Sequence, residues 1–191
     1  MVVMGIIAVL SILGVSAWLS LKSDSIAENA AESVLSSITE AQNKAIAISS
    51  DTSATETLQP KVWSIKVNPV TKDLSFVSYK EESGSLVLFS EKSIKSDYIK
   101  SLTSISTGVF NGSTCAGGSS VLYVNYSTPF GFYYADQNSN NYIPGGWTPV
   151  SPVGNWKLST PLSSKMCISL AYQGKTRIVV VQQNGDVYVT R

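Results

Sequence analysis

Apolar and polar positions divide the chain into stretches of different period. Residues Met1 to Leu21, MVVMGIIAVLSILGVSAWLSL, carry no charged side chain. At roughly 1.5 Å per residue, such a run makes a helix about 31 Å long, which matches the hydrocarbon thickness of a bilayer. Past Lys22 the apolar residues thin to one stripe rather than stopping. Ile26, Ala30, Val34, Ile38, Ala41, Ala45 and Ile48 recur at steps of four or three, on one face of a helix with about 3.6 residues per turn. Asp24, Glu28, Glu32, Glu40 and Lys44 take the other faces. The pattern predicts one helix from Met1 to about Ser50, roughly 75 Å long, apolar all round in its first half and amphipathic in its second.

Ser49 to Pro60 has no apolar period and ends at a proline that bars helix, so it reads as a connector. From Lys61 the period changes to two. Trp63, Ile65 and Val67 share one face of a strand closed by Asn68-Pro69. Leu74–Tyr79 and Ser85–Phe89 read as a hairpin around Glu81–Gly84, and one short strand is expected near Ile94–Ile99. Further strands fall at Val121–Tyr126, Gly131–Ala135 and Cys167–Tyr172, whereas Gly117-Gly118 and the proline- and glycine-rich Asn138–Gly154 read as irregular. Asn184-Gly185 between two β-branched runs calls for a two-residue type I′ hairpin. Roughly eight antiparallel strands covering the stripe from Ile38 to Ile48 make an α+β protein: a stem (1–50), a connector (51–60) and one globular β head (61–191).

Composition narrows the chemistry. Fourteen basic and 13 acidic side chains leave a net charge of +1, so no global field favours nucleic acid or an acidic surface. Histidine is absent, which removes the commonest general base and metal ligand. Serine nucleophiles have no histidine partner, no G-x-S-x-G elbow occurs, and Ser93-Ile94-Lys95 and Ser164-Lys165 read as solvated; the chain is not expected to be an enzyme or to bind a cofactor. Cys115 and Cys167 are too few for a zinc site. The favoured reading is a disulfide across the intervening loop, placing the head outside the cytoplasm, against two buried thiols. Val15-Ser16-Ala17 could pass for a signal-peptidase site. Against cleavage, Val15 and Leu19 lie in helical phase with Ile26 and Ala30.

The order V-V-x-x-I-I-A-x-L within VVMGIIAVLSILGVSAWLSL resembles the N-terminal helix of type IV pilins and type II secretion pseudopilins. The family's cleavage-site glycine, methylated phenylalanine and acidic residue would precede Met1, and the expectation is that about six residues do so. Ser36–Ile46 and the closing strand, glycine turn and short strand are similar to the GspH/FimT branch, with Gln42 where an arginine is usual. Where the family often has a helix-breaking proline, Gly14 and Ser16 stand, and local unwinding there is expected. The resemblance implies a pilin fold and a structural subunit held in the inner membrane by the stem. It also implies cleavage by a prepilin peptidase, N-methylation and an ATP-driven assembly machine that delivers the subunit to an extracellular surface filament, of the kind used in adhesion and motility.

In such a homo-oligomeric helical fibre Val3, Gly5, Ile7, Ala8, Leu10, Leu13, Gly14, Ala17 and Leu19 would pack the filament core, and Ile38, Ala41, Ala45 and Ile48 would join stem to head. The alternatives are a minor pseudopilin of a secretion or DNA-uptake system, or a monomeric membrane-anchored binding module. Three weaker candidates remain. Asp136, Asn138 and Asn140 place oxygens at alternate positions as a calcium loop does, but lack its closing acid. Lys175, Arg177 and Arg191 offer a slight basic patch, and some FimT-like pilins bind DNA through such a tip. Asn111-Gly112-Ser113 and Asn125-Tyr126-Ser127 fit the N-glycosylation pattern.

Overall fold

The computed structural model describes residues 2–47, 60–82, 85–127, 132–136, 147–150, 155–158, 165–182 and 185–191. One helix, α1 (Val2–Ala47), runs unbroken through Gly14 and Ser16. The expected unwinding does not occur. A glycine costs only about 1 kcal/mol relative to alanine in a helix and keeps its N–H, whereas the proline it would have to imitate removes a hydrogen bond.

Twelve strands follow among the described residues, not eight. The first sheet holds β1 (Val62–Asn68), β2 (Asp73–Glu82), β3 (Ser85–Ile94), β6 (Leu122–Ser127) and β7 (Phe132–Asp136), in the order β3-β2-β1-β6-β7. The second holds β4 (Ser104–Phe110), β5 (Cys115–Gly118), β10 (Met166–Tyr172), β11 (Lys175–Val181) and β12 (Val187–Thr190), in the order β12-β11-β10-β4-β5. Within Asn138–Gly154 and just beyond, β8 (Trp147–Val150) and β9 (Asn155–Leu158) pair as a small hairpin where irregular chain was expected. All the pairings are antiparallel.

The α+β expectation therefore holds, with two large sheets in place of one. Both pack against α1, whose contacts run to β1, β2 and β6 on one side and to β10, β11 and β12 on the other. Ile65, Val67, Leu74 and Val124 from the first sheet, and Ile168, Leu170, Val179 and Val181 from the second, meet Val34 and Ile38 in a single core. The stem face that enters it carries Ala27, Ala30, Ala31, Val34, Ile38, Ala41 and Ala45, each without measurable exposure. Alanine has almost no side chain to hold the backbones apart, so five of them let the helix lie close to both sheets. Ile26 is only half-buried, and Ile48 lies outside the described residues.

Ile94–Ile99 is not a strand. Ser96 accepts a hydrogen bond from the Ile99 N–H and caps a short helix, α2 (Asp97–Ser101), as a serine followed by an acid favours. Near Asn184-Gly185 the loop closes by Gln182 N–H to the Asp186 carbonyl at 2.8 Å and Gly185 N–H to the Gln182 carbonyl at 3.0 Å, with Gly185 at φ 88°. Asn184, the first residue of the expected type I′ turn, lies outside the described residues. The two-residue loop with both φ positive belongs to the preceding hairpin, at Gln173 (45°) and Gly174 (80°), with Tyr172 paired to Lys175.

Gly117 and Gly118 are strand residues, not a flexible pair. A side chain at Gly108 would lie 2.2 Å from the Ala116 carbonyl oxygen, and one at Gly117 would lie 1.9 Å from that of Thr107. The absence of both side chains lets β5 close onto β4. It also brings Cys115 to Cys167, and the expected disulfide is present, with Cα atoms 5.7 Å apart. Cys167, Ile178 and Val180 form a second apolar cluster on the outer face of the second sheet, covered by Phe110, Cys115 and Tyr188.

Candidate functional site

Among the described residues, the stem side chains from Ser11 to Lys22 are exposed. Ile12, Val15, Trp18, Leu19 and Leu21 are all exposed, from 47% at Leu19 to 71% at Leu21. Gly14 and Ala17 are exposed beside them. Among the described residues, the first buried one on the stem is Ser23. The side chains of Val3, Gly5, Ile7, Ala8, Leu10 and Leu13 lie outside the described residues, and among the described residues no helix is long and apolar enough to cross a membrane. At the end of the exposed row the Lys22 ammonium stands 5.2 Å from the Trp18 ring centroid.

Just beyond, the stem is fastened electrostatically. Arg177 shares the inner face of β11 with Val179 and Val181, and its guanidinium lies 2.6 Å from Asp24 and 3.4 Å from Glu28. Two acids four residues apart occupy one helix face, so a single arginine reaches both. Arg177 is buried, and its Nη1 also donates to the Thr176 carbonyl at 3.1 Å. Lys175 is half-buried and Arg191 exposed. The three cations proposed for phosphate binding therefore do not form one surface patch: the arginine holds the stem. In sequence the clue was the Asp24/Glu28 spacing, but nothing local revealed a partner about 150 residues away.

The remaining candidates separate as well. Ile38, Ala41 and Ala45 are buried in the core that the stem shares with the two sheets. Asp136 ends β7, while Asn138 and Asn140 lie outside the described residues. Among the described residues no three metal-ligating side chains cluster. Asn125 is wholly buried and bonded to Ser64, so in the folded head its amide is closed to a glycosyl donor. Asn111 is exposed, but its Oδ1 accepts from the Ser113 and Thr114 N–H groups at 3.2 and 2.9 Å, an Asx turn. Tyr126, missed in sequence, crosses from β6 to donate to the Gly185 carbonyl at 3.2 Å. Burial first, and the Asp186 charge second, push its phenol well above the usual value.

No family model, curated protein or solved structure matches the chain.

Proposed function

We propose that the chain is the structural subunit of a type IV pilus or pilus-like extracellular filament, assembling through its N-terminal helix. The carrying observation is that one helix enters its own head from Ser23 onward, whereas Ile12, Val15, Trp18, Leu19 and Leu21 on the stretch before it are exposed. A contiguous apolar surface of this kind needs another apolar surface or a lipid phase. Before assembly the cover is the membrane, with Trp18 and Lys22 at the interface, where an aromatic ring and a snorkelling lysine are favoured. After assembly the cover is the stems of other copies, approaching closely at Gly14 and Ala17. One head-to-tail contact repeated without closure gives a helical fibre, with the β heads outside. Transfer from lipid to sister stems makes and breaks no bond in this chain.

The test is negative-stain microscopy of fibres from cells carrying the assembly machinery, with the wild-type chain and with Val15→Lys/Leu19→Lys. Fibres from the first and none from the second are expected. Detergent-free protein that stays dispersed as single particles with its stem intact refutes the proposal.

A further inference from the structure

Beside the stem, the described residues leave part of the inner face of the first sheet uncovered. α1 lies over Ile65, Val67 and Leu74, but toward the edge strand β3 a cleft of about 620 Å³ opens between the helix residues Glu40 and Lys44 and the sheet. Its size falls within the roughly 300–1,000 Å³ of small-molecule sites. Trp63 and Phe76 form its floor in an edge-to-face pair with centroids 5.4 Å apart. β3 supplies the rim. Register places Lys92 opposite Phe76 and Ser90 opposite Ser78, and then slips, so that Leu88 opposes Tyr79 and Phe89 becomes the extra residue of a bulge. A bulge re-aims its side chain, and here Phe89 lines the cleft although it is half exposed to solvent.

The charged groups that line the cleft are mostly cationic. Among the described residues, Lys44, Lys92 and Lys95 line it against one carboxylate, Glu40, which already holds the Lys44 ammonium at 2.8 Å. That ammonium also sits 4.3 Å from the Phe76 ring centroid. Lys92 and Lys95 are exposed and have no ion-pair or hydrogen-bond partner among the described residues. Trp63 keeps its indole Nε1–H buried with no acceptor among them, so its resonance reports on whatever packs against the ring.

We propose that this cleft binds a small organic anion, a carboxylate joined to an aromatic or aliphatic body. The carboxylate takes the lysine side, where it balances the cations, and the apolar body lies against Phe89, Ile94 and Trp63. A neutral apolar ligand leaves two cations uncompensated, and a bare anion leaves the aromatic wall wet. Only the combination satisfies both.

The experiment is a titration of the ¹⁵N-labelled full chain, in a neutral detergent, with phenylacetate, phenylacetamide and acetate. Saturable movement of the Trp63 indole N–H resonance by phenylacetate is expected, with the amide and acetate at least tenfold weaker. Lys92→Gln/Lys95→Gln and, separately, Phe89→Ser should each weaken phenylacetate at least tenfold. All three side chains are solvent-exposed on or just beyond an edge strand, and the other indole resonances report that the fold is kept. Equal binding of the amide, loss of less than tenfold in either variant, or a stationary Trp63 resonance overturns the proposal.

Discussion

Removing the Cys115–Cys167 bridge tests how the second sheet keeps its outer face. The bridge spans 52 residues, and chain entropy for a loop of that length gives about 4 kcal/mol at 25 °C. That is a large share of the about 5–15 kcal/mol that holds an ordinary domain together. For a cooperative unit of roughly 150 residues the unfolding entropy is about 0.3 kcal/mol/K, so a Cys115→Ala/Cys167→Ala chain should melt roughly 13 °C lower. The two cysteines are not equivalent. Cys167 has no exposure and packs with Ile178 and Val180, whereas Cys115 sits half-buried at the edge of that cluster. A serine at 167 adds an unsatisfied hydroxyl to an apolar site, a further cost of about 1–3 kcal/mol; a serine at 115 can turn to water. Calorimetry of the detergent-solubilised chain should therefore rank wild type above Cys115→Ser, and Cys115→Ser above Cys167→Ser. A double-alanine chain melting within about 3 °C of wild type, or the two serine variants melting together, refutes the reasoning.

Other expectations concern single contacts. A double-mutant cycle on Arg177→Met and Asp24→Asn should return a coupling of about 1–2 kcal/mol in urea unfolding, kept low because the Asp24 side chain is 37% exposed; zero coupling would show that the pair is ornamental. Gly108→Ala drives a methyl into the Ala116 carbonyl 2.2 Å away, so thiol labelling under mild oxidation should find Cys115 and Cys167 partly unpaired. The folded state holds the Tyr126 proton above the pH at which an unfolded tyrosine, with a pKa of about 10, releases it. The contribution of that neutral phenol is full below about pH 10 and declines as pH rises further. Tyr126→Phe should flatten that alkaline decline while costing about 1 kcal/mol at neutral pH for the lost bond to Gly185, as read from melts at pH 7 and 11.

The hydrophobic pattern by itself determined the stem, because an uncharged run of 21 residues passes directly into a stripe of period 3.6, which a strand cannot match. It also determined most of the strands, since Val62–Asn68, Leu122–Ser127 and Met166–Tyr172 alternate or run apolar between clear breakers. The disulfide followed from having two cysteines in one head. The arrangement of those elements was hidden. Ala27 and Ala31 join the buried face although they lie outside the stripe read from the sequence, and Arg177 becomes a clasp only because β11 lies beside Asp24 and Glu28. The β3 bulge that turns Phe89 toward the cleft depends on β2 as its partner. Local sequence sets which torsions and faces a segment prefers. Contacts between residues some 150 positions apart depend on how all the segments pack together, and no window along the chain contains both ends of such a contact.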